Sequence, residues 1–235
     1  MIIQRGTTDL LLITQPDHAG LAAGLMARWE LGGLPDHPRR AEILAATREH
    51  DHGWIEEDAL THVAPDGQPL DFITVPPDVK RRLWPRAVER VARTDPYVAA
   101  LVAQHALTVN APARQEDGWP AFFDVMTRAR DAKLARVPRV NVVDLEGDYP
   151  FVRIGDHLSL IFCNGWREPL SGAGYRAILK GATLEISPDP FGGATVPLSV
   201  PARSIPARRY RSAADLRQAF AAAPVRPLEG QAVGV

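Results

Sequence analysis

The stretch Arg48-Glu49-His50-Asp51-His52-Gly53-Trp54 joins the end of a helical segment to an adjacent histidine and aspartate, which a glycine follows closely. A histidine nitrogen and a carboxylate oxygen placed side by side at a helix end can bind one divalent cation. Hydrophobic packing alone does not require this pair. The stretch therefore predicts a metal site at the end of a helix, with further ligands elsewhere in the chain.

Three other residues of ligand type lie on segments with helical periodicity. His18 and His105 each share a face with apolar residues, and Asp156 lies in the middle of the apolar segment 150–163. A carboxylate in such a segment is costly unless a cation or hydrogen bonds meet it. We therefore expect one site with the metal ligands His18, His50, Asp51, His105 and Asp156.

The order His, His-Asp, His, Asp resembles that of the HD-domain superfamily of metal-dependent phosphohydrolases. His50-Asp51-His52-Gly53 is similar to the His-Asp-x-Gly signature of that superfamily, and the resemblance covers residues from about 14 to 163. It implies that His18 is the first ligand, His50 and Asp51 the paired ligands and Asp156 the closing aspartate. His105 resembles the extra histidine of members that hold two metals.

The segment from Gln15 to Ala19 also resembles the Gln-x-x-His-Ala start of an HD subgroup that includes di-iron oxygenases cleaving carbon–phosphorus bonds. That subgroup has a further histidine soon after its His-Asp pair, in a His-Glu-x-x-Gly setting. His52 and His62 lack this setting. The whole chain resembles a bacterial family known as domain of unknown function 3891, which implies no activity.

Four residues next to the ligands are candidates for supporting roles. Gln15 or Asp17 can orient a ligand histidine through its second ring nitrogen, or cap the first helix. His52 can line the pocket or bond to the following loop. Trp54 can form a pocket wall or pack in the core.

The residues and the resemblance together predict a metal-dependent hydrolase. A hydroxide on the metal would attack the phosphate ester of a small molecule or nucleotide, with His50 and Asp51 as the catalytic residues. The expected cofactor is one or two divalent ions of iron, manganese or zinc. Two alternatives stay open: a di-iron oxygenase acting on a small substrate, and a binding module whose site has degenerated.

The predicted fold is mainly α: an HD-like helical bundle with a small antiparallel sheet, in a single domain of residues 1–235. The bundle covers 14–163, the sheet is formed by strands within 175–210 and by a hairpin in 1–14, and 224–235 are expected to be disordered. Helices are predicted at about 16–29, 39–51, 78–93, 96–109, 120–136, 150–163 and 212–222. The aperiodic segment 55–77 is predicted to be a lid.

Composition narrows the function classes. The net charge is −1 and there is no basic run, which argues against nucleic acid and anionic membranes as partners. The N-terminal residues lack the pattern of a signal peptide and no apolar run reaches roughly 18 residues, so a cytoplasmic protein is expected. The single cysteine, Cys163, excludes an internal disulfide. The expected partner is a small-molecule substrate, and a homodimer stays open.

Overall fold

The fold combines a layer of helices with one substantial sheet. The computed structural model describes residues 1–235, of which 48% are helical and 20% lie in strands. The helices are α1 Gln15–Met26, α2 Arg40–Glu49, α3 Ile55–Leu60, α4 Pro77–Val91, α5 Pro96–Val109, α6 Trp119–Leu134, α7 Val142–Asn164 and α8 Ala213–Ala222. The strands are β1 Ile2–Arg5, β2 Asp9–Ile13, β3 Leu170–Gly172, β4 Tyr175–Lys180, β5 Thr183–Ser187, β6 Val196–Pro206 and β7 Val225–Gly234.

The seven strands form one curled, mixed sheet in the order β1-β2-β6-β7-β5-β4-β3. Only β5 and β7 pair in parallel, and the other neighbours are antiparallel. The prediction of a mainly α protein with a small antiparallel sheet is therefore wrong. Sequence periodicity finds individual strands, but the size of a sheet depends on pairings between distant segments.

The prediction that 224–235 are disordered is also wrong. β7 pairs with β6 from Val196 to Arg203 and with β5 on its other side. Its sequence, VRPLEGQAVG, has no apolar alternation and contains both proline and glycine, which are poor strand formers. A Cβ atom on Gly230 would lie 2.3 Å from the carbonyl oxygen of Ala182, so this glycine permits the close approach of neighbouring backbone.

The predicted helices are present, with shifted ends. α4, α5 and α6 begin and end within two residues of the predicted positions. α7 begins at Val142, well before the predicted position, because Asn141 caps it in a capping box with Asp144 and Pro150 is accommodated inside the helix. The segment 55–77 is not a loop throughout, since α3 occupies its start and α4 begins at its end.

The second helix ends before the predicted position 51, and Gly53 does not terminate it. α2 ends at Glu49, and Gly53 lies within the short 3-10 turn His52–Trp54. A Cβ atom on Gly53 would lie 2.6 Å from the carbonyl oxygen of Leu83 on α4. The glycine therefore lets α4 pack directly against the turn that follows the His-Asp pair.

One buried core of 51 residues includes side chains from the helices and from the sheet, so the two layers pack directly against each other. α7 packs against α1, α2 and α5. Close packing is possible at Gly155, where a Cβ atom would lie 2.7 Å from Met26 Cγ and 2.8 Å from Thr47 Cγ2. This contact brings the next residue of α7, Asp156, to the helices that carry the histidines. None of the helices combines the length and the hydropathy needed to cross a bilayer.

Candidate metal centre

The five predicted ligands meet at one point in the helical layer. His18 lies on α1, His50 and Asp51 follow α2, His105 lies on α5 and Asp156 on α7; all five are buried. His18 Nε2 is 2.8 Å from Asp51 Oδ2, His50 Nε2 is 3.3 Å from Asp156 Oδ1, and His105 Nε2 is 3.9 Å from Asp156 Oδ2. Ligands with bonds near 2.1 Å lie about 3 Å apart around one ion. The donor atoms are therefore close enough to share an ion.

A serine fixes the orientation of the His18 ring. The hydroxyl of Ser159 donates to the backbone carbonyl oxygen of Asp156 at 2.9 Å. The serine oxygen Oγ also lies 2.8 Å from His18 Nδ1. Because the only hydroxyl proton is already used, the serine oxygen accepts the proton of Nδ1. In the neutral imidazole the lone pair is then on Nε2, which faces Asp51.

The backbone of α2 fixes the His50 ring in the same way. His50 Nδ1 lies 2.6 Å from the carbonyl oxygen of Thr47, which can only accept a hydrogen bond. The lone pair of a neutral His50 is thus on Nε2. This nitrogen is buried and has no hydrogen-bond partner, although it lies 3.6 Å from Asp51 Oδ2 and 3.3 Å from Asp156 Oδ1. Lone pairs of two imidazoles and two carboxylates therefore converge without a donor between them.

This concentration of negative charge requires a cation or a bound proton. Burial lowers the pKa of His50, but the Asp51 and Asp156 carboxylates outweigh it and raise the pKa to about 9. Burial raises the pKa of both aspartates, yet the neighbouring histidines lower it overall. A divalent ion would satisfy the same charge balance, and imidazole with carboxylate suits iron, manganese or zinc. The residues therefore fit the expected cofactor.

His105 occupies a different electrostatic position. Burial and the charge of His50 lower the pKa of His105 to about 4, so its imidazole is neutral. Its Nδ1 lies 3.2 Å from the hydroxyl of Tyr149, and its Nε2 faces Asp156. A neutral imidazole beside a carboxylate is a suitable metal ligand.

The donor atoms form two sets of three that share His50. The first set is His18, His50 and Asp51, and the second is His50, His105 and Asp156. Since Nδ1 of His50 is bonded to Thr47, only one nitrogen remains, and it can bind only one ion. The arrangement therefore favours one ion held by ligands from both sets.

A cavity of about 260 Å³ opens onto the ligand cluster. Asp51, His105 and Asp156 form part of its wall, together with six apolar residues and three polar ones. The apolar residues are Trp54, Phe72, Ile73, Trp84, Val109 and Leu160, and the other polar residues are Gln15, Lys80 and Asn110. A substrate in this cavity would therefore reach the carboxylates directly.

The supporting residues expected from the sequence divide into two groups. Gln15 and Trp54 line the cavity. Asp17 instead closes the first turn of α1, where its backbone N–H and its carboxylate bond to the Thr14 hydroxyl. His52 pairs with Glu49 and is not part of the cavity wall.

Several positions of the candidate site were not identified from the sequence. Ser159 and Thr47, which orient the histidines, and Lys80 and Trp84 of the cavity wall belong to this group. Ser159 carries a weak signal, since it lies three residues after Asp156 on the same helix face. Lys80 and Trp84 carry none, because their place in the wall depends on how α4 packs. The predicted lid contributes Phe72 and Ile73 to the wall, and its movement stays a prediction.

Comparison with known proteins identifies a family whose function is unknown. A family model described as "Protein of unknown function (DUF3891)" matches residues 1–207. No curated protein and no solved structure matches the chain.

Proposed function

This chain belongs to the DUF3891 family of proteins of unknown function, and from its site we propose that it is a metal-dependent hydrolase of phosphate esters. The observation that carries the proposal is the buried, unpartnered Nε2 of His50, which faces two carboxylates. A proton on this nitrogen would balance the charge in part, whereas a divalent ion would also use the lone pairs of His18 and His105. A divalent ion at this point resolves the imbalance.

The order of the ligands along the chain supports the same reaction class. It resembles the order in the HD-domain phosphohydrolases, and the resemblance rests on ligand order and motif, not on the overall fold. A divalent ion lowers the pKa of bound water from about 15.7 to near neutrality and neutralises charge on a phosphate group. Those two effects are what ester hydrolysis at neutral pH requires.

Each residue then has a definite task. His18 and His50 would hold the ion through Nε2, and Ser159 and Thr47 keep both rings in the tautomer that this requires. Asp51 would be a ligand as well, and because its carboxylate also lines the cavity it would be placed to accept a proton from a water molecule there.

Asp156 faces both His50 and His105 with different oxygens and would be a further ligand of the ion. Because His50 has one free ring nitrogen, it can bind only one ion. A second ion would have only His105 and the remaining carboxylate oxygens of the aspartates as ligands. This favours hydrolysis at a single ion over the alternative of dioxygen chemistry at two irons.

The test combines elemental analysis with a phosphatase assay on the purified chain. The wild type is expected to contain about one divalent ion per chain and to hydrolyse p-nitrophenyl phosphate. A His50→Ala, Asp51→Ala double variant should lose both properties. His37→Gln is the matched control, because His37 also pairs with a buried carboxylate, that of Asp148, outside the cluster.

Equal metal content in the wild type and the double variant would overturn the proposal. A wild type that contains no metal and hydrolyses no phosphate ester would favour a binding module. Two irons per chain with oxygen consumption would favour the oxygenase.

A further inference from the structure

The cavity beside the ligand cluster contains one lysine without a carboxylate partner. Lys80, on the first turns of α4, is half-buried, and its ammonium donates to the carbonyl oxygen of Ile73 at 3.0 Å. No carboxylate lies within ion-pair distance of it, whereas the chain's other two lysines, Lys133 and Lys180, pair with glutamates. Burial lowers the pKa of Lys80, and the charge of Asp71, which is too far away for an ion pair, opposes this only in part. A half-buried ammonium group that forms no direct ion pair, beside a cavity, favours an anion in that cavity.

Two further groups of the wall lack partners. The side-chain oxygen of Gln15 and the indole N–H of Trp84 are buried and make no hydrogen bond. Gln15 is 1% exposed and Trp84 4%, so bulk water does not replace the missing bonds. Buried polar groups are nearly always paired, and both residues line the cavity. Their missing partners are therefore expected on a molecule bound there.

We propose that Lys80, Gln15 and Trp84 are the substrate-recognition groups of the site and select a small phosphate monoester with a compact, mainly apolar organic part. The ammonium of Lys80 pairs with the phosphate, and the indole N–H of Trp84 donates to one of its oxygens. The amide of Gln15 can present either its oxygen or its NH2 group to the substrate. This inference rests on the proposed function and specifies its substrate.

The size and charge of the cavity exclude nucleoside di- and triphosphates as substrates. A volume of about 260 Å³ lies below the usual range of roughly 300–1,000 Å³ for ligand pockets. Lys80 is the only cationic residue in the wall, and there is no arginine, the residue that binds phosphate groups in a bidentate manner. The aromatic and aliphatic residues of the wall, such as Trp54, Phe72 and Leu160, suit an apolar organic group.

The experiment is calorimetric titration of the full chain, loaded with Mn²⁺, with three probes. These are inorganic phosphate, phenylphosphonate, which has no ester bond to hydrolyse, and β,γ-imido-ATP. Wild-type protein is compared with Lys80→Met, Gln15→Leu and Trp84→Phe. Lys133→Met is the matched control, since Lys133 is largely buried and lies on α6, outside the cavity. Bound manganese is measured for every protein.

Phenylphosphonate is expected to bind wild-type protein at least about tenfold more tightly than the ATP analogue. Lys80→Met should raise the Kd of phosphate and phenylphosphonate by about tenfold or more, because a charged hydrogen bond is lost. Trp84→Phe and Gln15→Leu should raise the Kd of phenylphosphonate by several-fold. Manganese content should stay unchanged in all variants, including Lys133→Met.

A Kd for Lys80→Met within about twofold of wild type would overturn the inference, as would equal affinity for the ATP analogue. Absence of phosphate and phenylphosphonate binding to the loaded wild type would also overturn it. Failure of the proposed function gives a different result. Manganese would not bind at the His50 cluster and no ester would be hydrolysed, whatever the effect of Lys80→Met on phosphate.

Discussion

Ser159 on α7 accepts a hydrogen bond from Nδ1 of His18 on α1, with 2.8 Å between the serine oxygen and the ring nitrogen. The serine is only three residues from Asp156, so one helix supplies both a metal-ligand candidate and the group that orients another. The Ser159 hydroxyl donates its proton to the backbone carbonyl of Asp156. The serine oxygen can therefore only accept the hydrogen bond from His18.

Substitution of Ser159 by alanine should therefore weaken metal binding without removing a ligand. His18 would lose the acceptor for its Nδ1 proton, and loss of such outer partners typically costs about 10–100-fold in metal affinity. Competition with a chromogenic chelator measures the effect. Ser199→Ala, on an exposed position of β6, is the control. Unchanged affinity in Ser159→Ala would contradict the orienting role.

Gly53→Ala should destabilise the fold by roughly 1–3 kcal/mol, because the added methyl group would overlap the carbonyl of Leu83. Denaturant unfolding followed by circular dichroism gives the free energy of unfolding. Gly147→Ala is the matched control: this glycine lies in α7 with open space around it, and alanine there should stabilise by about 0.5–1 kcal/mol. If both substitutions changed the free energy of unfolding in the same direction, close packing would not be the reason for a glycine at position 53.

Glu57→Gln should lower the free energy of unfolding by about 1–3 kcal/mol, since the buried carboxylate of Glu57 bonds to Arg82 and Arg86. Burial raises the pKa of Glu57, but the arginines outweigh it and lower the pKa overall. A lowered pKa in the folded state stabilises the fold above the unfolded pKa of roughly 4.3, and this is lost as pH falls through the folded value.

The stability difference between wild type and Glu57→Gln should therefore be full near neutral pH and shrink below about pH 5. Unfolding curves at a series of pH values measure it. Glu116→Gln, at an exposed position without an ion pair, should show no comparable difference. If the stability difference between wild type and Glu57→Gln grew as the pH fell, the pKa of Glu57 would not be lowered in the folded state.

Deletion of residues 224–235 should prevent stable folding. β7 lies between β5 and β6, so its removal leaves two strand edges unpaired in the middle of the sheet. Size-exclusion chromatography and thermal unfolding of the truncated chain should show aggregation or loss of a cooperative transition. Deletion of Val235 alone, which follows β7, is the control. A truncated chain that unfolds like the wild type would mean that β7 is dispensable.

The amino-acid sequence by itself determined most helices and pointed to the five candidate ligands that the fold brings together. Helical periodicity and the adjacent His50-Asp51 pair are local signals, and the structure has helices at the predicted places, with the pair directly after α2. Inward-facing polar residues on apolar helix faces are informative because they are costly to bury without a partner. This cost made His18, His105 and Asp156 recognisable from sequence.

Only the tertiary structure decided the extent of the sheet and the composition of the cavity wall. β7 has no strand periodicity of its own and becomes a strand because β5 and β6 offer it hydrogen bonds on both sides. Lys80 and Trp84 reach the cavity because α4 packs against the turn at Gly53. Both results depend on contacts between segments far apart in the chain, which local sequence patterns do not encode.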